Sequence, residues 1–330
     1  MVSENFRSRC VGSLLGTAFG DTLGAAVEMR SRAEIRLAFG EVRDFLPHAR
    51  GFGRYTDDTE MTLALARSLI DRRGIDAADC SRRYGEAFTP RRGYGRSAVR
   101  IMDALNAGAD YRQTGTRFFA EGSFGNGAAM RIAPLGLLYG GADESVFRAA
   151  VFDAVRCTHV HPEAVETAYL QALAVGSMFD LPSGAEPDAQ VFIARLNSFC
   201  RYRPLQRRLT ALAQLLATDA DGDAVAECFA CGVRSADSWP PALWAALRFC
   251  DDPEEAIVQA VNLGGDCDTI GAMTGALVGA LHGDRRFPRR WFAQLENGPN
   301  GRDEIIRTGE LLAELCRQFR ADQAPAGAED

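Results

Sequence analysis

The stretch LGGDCDTIGAMTGALVGALHG, residues 263–283, joins two carboxylates to a helix almost free of charge. Ile270, Ala272, Met273, Ala276, Leu277, Val278 and Ala280 cover most sides of that helix, and a helix this apolar all round is buried. Asp266 and Asp268 stand at its mouth. Carboxylates in such a place are costly unless a cation pairs with them, and no arginine or lysine lies within the helix. A metal ion is the simplest partner.

Outward from this segment, apolar residues keep recurring at helical spacing. The pattern predicts helices over 6–27, 60–71, 77–88, 97–105, 127–139, 145–157 and 163–179 in the first half. In the second half it predicts 189–199, 205–216, 223–233, 241–249, 254–262, 269–281 and 303–319. Strand-like alternation is hard to find, so the class is all-α. The connections at 89–95, 181–188 and 297–301 are short and carry Gly, Pro, Asp or Asn, which favours one domain over 1–320. A disordered tail is expected over 321–330.

The composition narrows the function classes. The 330 residues, 47% of them hydrophobic, can bury a sizeable core. There is no stretch long and apolar enough to span a membrane and no signal-peptide core over 1–10, so a cytoplasmic protein is expected. The nine cysteines read as buried thiols, with Cys228 and Cys231, the only CxxC, read as packing residues. The chain has no lysine; all 37 basic residues are arginine, which excludes Schiff-base catalysis and the P-loop lysine. A net charge of −7 is not the footprint of a nucleic-acid binder, and Arg285, Arg286, Arg289 and Arg290 read as a solvated face.

A second acidic cluster, Thr56, Asp57, Asp58 and Thr59, falls at the start of the helix that carries Met61, Leu63, Leu65 and Leu69. Alone it has a simple explanation, because Thr and Asp cap helix N-termini. Together the two clusters offer four carboxylates and threonine hydroxyls without histidine or cysteine in ligand spacing, an all-oxygen set suited to Mg²⁺ or Mn²⁺. Two neighbouring ions form a known hydrolytic arrangement. Asp266 and Asp268 also match the DxD of haloacid-dehalogenase-like phosphatases. That family needs Thr or Val where Ile270 stands, a preceding strand and usually a lysine, all missing here. A third element, Gly122 to Arg131 (GSFGNGAAMR), is a glycine-rich loop running into a helix. Such loops lay backbone N–H groups against phosphate, and Phe118 and Phe124 beside it could stack an adenine.

These motifs, in this order, resemble the ADP-ribosylglycohydrolase family, most closely the branch of human ADP-ribosylhydrolase 3. The resemblance runs through residues 12–28 (GSLLGTAFGDTLGAAVE), 55–61 (YTDDTEM), 92–95 (RGYG), 123–131 (SFGNGAAMR), Thr158 and His159, 170–175 (LQALAV) and 263–283. It implies a single compact orthogonal helical domain with a binuclear Mg²⁺ or Mn²⁺ centre. The ligands it implies are Thr56, Asp57, Asp58, Asp266, Asp268 and Thr269, all present. Glu28 falls on the family's catalytic or gating glutamate, with Asp58 and Asp268 able to share acid–base work and Asp21 supporting the segment at the substrate site. Adenine would stack between Phe118 and Phe124, the second a tyrosine in that branch. The diphosphate loop maps to Ser123, Gly125, Asn126 and Gly127. His159 falls on a histidine that reaches the distal ribose or its phosphate, although a lone histidine near a helix start reads equally as structural.

The implied partners are ADP-ribose and ADP-ribosylated proteins or ADP-ribose polymers. Features of this branch favour O-linked substrates: serine-linked ADP-ribose, poly(ADP-ribose) or O-acetyl-ADP-ribose. ADP-ribosylarginine, the substrate of sister branches, is the alternative. A non-catalytic relative is a further reading, weakened because such members tend to lose metal ligands that this chain keeps.

Overall fold

Two helices, Glu4–Gly24 and Cys267–His282, cross antiparallel along a ladder of glycines. Gly12, Gly16 and Gly20 on the first face Gly279, Gly275 and Gly271 on the second. A Cβ built on Gly16 or Gly20 would stand 2.0 Å from the carbonyl oxygen of Gly275 or Gly271. No side chain larger than hydrogen fits between these backbones. The ladder is written in the sequence as glycine at every fourth position, on one helix face. Both helices are buried through most of their length, and Ser13 donates across the seam to the Ala276 carbonyl at 3.0 Å.

The computed structural model describes residues 3–182 and 184–323, and it agrees with the all-α expectation: eighteen α-helices and two 3-10 turns, with β structure confined to two isolated bridges among the described residues. Helices gather around the central pair. Pro162–Asp180 packs on the apolar helix, with Gln171 Nε2 donating to the Met273 carbonyl at 3.2 Å and Gln171 Oε1 accepting from the Trp239 indole at 2.9 Å. Among the described residues no helix is long and apolar enough to cross a membrane. The nine cysteines are free thiols, with Cys228 exposed and Cys231 buried.

Several expected boundaries move. The helix expected over 127–139 breaks into Gly127–Met130 and Ala133–Tyr139. Pro134 has no N–H for the Met130 carbonyl, and its ring would clash with that group in a continuous helix. The helix expected over 223–233 is Gly222–Phe229, because Ala230 and Cys231 turn left-handed at φ 61° and 50°. The helix expected from 241 begins at Ser235 and runs through Pro240 and Pro241, where burial of Trp239, Leu243 and Trp244 outweighs the missing N–H groups. Arg32–Phe39, Tyr111–Thr114 and Arg289–Gln294 are further short helices outside the expected set. The last helix, Arg302–Gln323, passes the expected boundary at 320, and the rest of the expected tail lies outside the described residues.

Candidate active site

The glycine ladder delivers the mouth of the apolar helix to one wall of a cavity of about 420 Å³. Glu28, Asp57, Asp58, Asp266, Asp268 and Thr269 form an acidic wall, while Phe118, Ser123 to Gly127 and His159 line the remainder. The two acidic clusters therefore meet. Single carboxylate oxygens of Glu28, Asp266 and Asp268 lie within 4.8 Å of one another. Asp57 and Asp58 face the same space from the first turn of Asp57–Arg72 but stand outside that tightest group.

Capping does not account for either cluster. Thr56 and Asp266 occupy the N-cap positions of their helices, and neither side chain accepts a bond from the first turn. For the first cluster, Asp21 reaches across from the Glu4–Gly24 helix instead. Its carboxylate accepts from the Thr56 N–H at 2.7 Å, the Thr59 N–H at 3.0 Å and the Thr59 hydroxyl. Asp21, expected at the substrate, is wholly buried and does not line the cavity; its oxygens hold the turn that aims Asp57 and Asp58. Thr56 is likewise buried and donates from Oγ1 to Asp58 Oδ2 at 3.0 Å. The other oxygen of Asp58 is buried without a hydrogen-bond partner among the described residues.

Backbone stitches fix the loops around this wall. Met29 N–H donates to the Gly265 carbonyl and Gly265 N–H to the Arg30 carbonyl, both at 2.7 Å, so the segment carrying Glu28 is tied to the Asp266 loop. The strap at 231–235 joins that loop to the glycine loop. The Cys231 carbonyl accepts from Asp266 N–H at 2.7 Å, the Val233 carbonyl from Asn126 N–H at 3.0 Å, and Ser235 N–H donates to the Phe124 carbonyl at 3.0 Å. Asn126 also donates from Nδ2 to Asp266 Oδ2 at 2.5 Å and Ser238 Oγ at 3.0 Å. Its amide thus orients an acidic-wall carboxylate; expected at the diphosphate, it has its N–H groups engaged within the protein.

The ADP-ribosylglycohydrolase family model matches residues 2–325. The chain belongs to this family. It is 30% identical to the ADP-ribosylhydrolase ARH3 of Bos taurus, with 86% of this chain and 87% of that protein covered. Against ARH3 of Homo sapiens the identity is also 30%, with 86% and 88% covered. An uncharacterized protein of Archaeoglobus fulgidus is 32% identical, with 90% of this chain and 93% of that one covered. A solved structure described as an ADP-ribosylglycohydrolase-related protein complex is similar with a TM-score of 0.74 and 28% identity, covering 95% of this chain and 100% of that chain.

Among the described residues the acidic wall of this family member is short of positive charge. Burial, with the neighbouring Asp21 carboxylate, pushes Asp57 up to about 8. Burial and adjacent carboxylates push Asp58 and Asp268 well above the usual carboxylate range. Asp266 also moves up through burial, opposed by the Asn126 hydrogen bond. The cation at the wall is Arg50, 3.1 Å from Glu28 Oε2. An orphaned Asp58 oxygen and crowded buried carboxylates fit a divalent cation, because such groups need a charge that one guanidinium does not supply.

On the other walls, Phe118 is half-buried under the Arg100 guanidinium, and Phe124 is 52% exposed beside Arg234. Gly125 N–H donates to Ser123 Oγ at 3.1 Å. His159 packs on the loop so closely that a Cβ on Gly127 would meet its Cε1 at 3.0 Å. Sequence reasoning missed Arg50 and the strap at 231–235. Arg50 comes from an irregular loop with no motif, and the strap was read as the end of a helix. The two left-handed residues that make the strap, Ala230 and Cys231, carry no glycine signal.

Proposed function

We propose that this chain hydrolyses the glycosidic bond at C1″ of ADP-ribose and releases ADP-ribose from O-linked substrates: serine-linked ADP-ribose, poly(ADP-ribose) or O-acetyl-ADP-ribose. The observation that carries the reading is one cavity with a crowded acidic wall, able to hold a cation, beside a glycine loop and two aromatic rings. The rings of Phe118 and Phe124 take the adenine, the glycine loop the diphosphate, and the acidic wall the distal ribose. Thr56, Asp57, Asp58, Asp266, Asp268 and Thr269 would hold two Mg²⁺ or Mn²⁺, the Thr56 hydroxyl also bonding Asp58. When bound, these ions neutralise the carboxylates and polarise oxygen atoms at the reacting carbon.

In the hydrolysis, water oxygen bonds to C1″ while the C1″–O bond breaks and its electron pair leaves with the substrate oxygen. Water gives up one proton and the leaving group takes one. Glu28 would carry out that transfer; in support, it lies close to Asp266 and Asp268 on a segment tied to their loop. Arg50 holds Glu28 through an ion pair at 3.1 Å. Asp21 and Asn126 hold the carboxylates around it in register.

The test is release of free ADP-ribose from serine-linked, arginine-linked and polymeric substrates, with Mg²⁺ or Mn²⁺ and with chelator, for the wild type and Asp268→Asn. The expected result is metal-dependent release from serine-linked or polymeric substrate that the variant loses. Release from the arginine-linked peptide alone overturns the O-linkage, and tight ADP-ribose binding without any release overturns hydrolysis.

A further inference from the structure

Arg131 is 1% exposed, and among the described residues no carboxylate pairs with its guanidinium. A buried guanidinium without a counter-ion is expensive and calls for an explanation. Nη1 donates to the Gly127 carbonyl at 3.0 Å, directly under the glycine loop, and Nη2 donates to the Thr158 hydroxyl at 2.7 Å. The plane lies over the Tyr84 ring at 4.4 Å, and Nε has no partner. Both bonds lead toward the cavity, one to the loop and the other to His159, whose Nδ1 is 2.8 Å from Thr158 Oγ1.

The Thr158 hydroxyl has one hydrogen to give. Its oxygen already accepts from Arg131, and two acceptors compete for the proton: His159 Nδ1 at 2.8 Å and the Val155 carbonyl at 3.1 Å. That carbonyl already accepts from Thr158 N–H at 3.0 Å and His159 N–H at 2.9 Å. The ring nitrogen is nearer and otherwise unsatisfied, so the hydroxyl points to it. The guanidinium works in the same direction, because positive charge beside Nδ1 favours its lone pair over an N–H. The ring proton then sits on Nε2, the atom beside Gly125 and Gly127 on the cavity side. Burial and Arg131 push His159 down to about 3, which keeps a second proton off the ring.

We propose that Arg131, acting through the Thr158 hydroxyl, fixes His159 as the Nε2–H tautomer and so makes it a neutral donor aimed at a phosphate oxygen on the glycine loop. Arg131 and Thr158 are positioning residues, and His159 makes the contact. The ligand part rests on the reading that this cavity takes ADP-ribose; the tautomer does not.

The experiment reads the imidazole ¹⁵N and proton correlations of the full chain, with His159→Gln used to assign His159 among four histidines. The wild type and Thr158→Ser should carry the proton on Nε2, and Thr158→Val should lose that single form. A wild-type ring protonated on Nδ1, or a Thr158→Val ring identical to wild type, overturns the proposal. ADP-ribose affinity by calorimetry supplies the second arm. A glutamine at this position places its NH₂ near the Nε2–H site and an asparagine near Nδ1, so His159→Gln should bind within a few-fold of wild type and His159→Asn about tenfold more weakly. Equal affinities for the two variants overturn the donor role. A wild type that shows the Nε2–H ring but binds no ADP-ribose leaves the relay standing and removes the substrate reading.

Discussion

A Cβ on Gly24 would stand 2.4 Å from the Cα and the amide nitrogen of Asp268. The last rung of the glycine ladder thus lies against the backbone of an acidic-wall residue, so helix packing and site geometry are one constraint. By helix propensity, glycine to alanine in a helix stabilises by about 1 kcal/mol. Gly24→Ala should do the opposite, costing about 3 kcal/mol through overpacking. It should also abolish the rise in Tm on adding Mn²⁺, whereas Gly141→Ala, with open space around its Cβ, should change little. A neutral effect of Gly24→Ala in thermal unfolding would contradict the close approach.

Asp58 separates a metal site from a salt-bridge site. One of its oxygens is buried without a partner, and neighbouring carboxylates raise its pKa beyond the effect of burial. In chelator, Asp58→Asn relieves like-charge crowding, so the variant should melt at or above the wild-type temperature. With Mg²⁺ or Mn²⁺ the order should reverse, because ligand binding stabilises only the form that binds it. If the variant melts lower in chelator as well, Asp58 is acting through a partner within the protein.

Much of this arrangement could be read before the structure. Two acidic clusters at helix starts, one against an uncharged helix, led to a divalent site, and the structure puts Asp57, Asp58, Asp266 and Asp268 around one cavity. What the sequence does not show has physical causes. Apolar spacing predicts a helix over 6–27 without naming its partner, although Gly12, Gly16, Gly20 and Gly24 record its contact with the Cys267–His282 helix. The resemblance gives Asp21 a supporting place at the substrate site but not its partners, and its carboxylate bonds to Thr56 and Thr59. Periodicity reports which face is buried and not which side chain crosses to another element. The Arg50 and Arg131 contacts span loops and helices that the sequence does not show to be neighbours.

Asp79 provides a pH test remote from the site. Burial alone would raise its carboxyl, but hydrogen bonds from Arg82, Ser68 and Arg83 outweigh that and hold it well below the usual carboxylate range. A carboxyl depressed in the folded state contributes stability above its unfolded pKa of about 3.9 and loses it as pH falls through the lower folded value. Asp79→Asn should therefore cost about 2 kcal/mol at neutral pH. The gap between variant and wild type should narrow below about pH 4. Denaturant unfolding of both proteins across that range checks the sign; a gap that widens in acid would contradict it.

Arg50 and Glu28 make predictions of opposite sign for binding and catalysis. Arg50 is 3.1 Å from Glu28, and its guanidinium packs over Gly93, where a Cβ would come within 2.7 Å of it. Arg50→Met removes what is, among the described residues, the one guanidinium bonded to the acidic wall, while keeping most of the apolar stem. With the wall more negative, Mg²⁺ or Mn²⁺ should bind as tightly as before or more tightly in calorimetric titration. Glu28, no longer held, should be a poorer proton-transfer group, and kcat for ADP-ribose release should fall about tenfold, a modest share of what a positioned acid or base contributes. Arg50→Lys should recover part of that loss, since it restores the charge without the planar fork. Weaker metal binding together with unchanged kcat would mean that Arg50 supports the metal loop and leaves Glu28 alone.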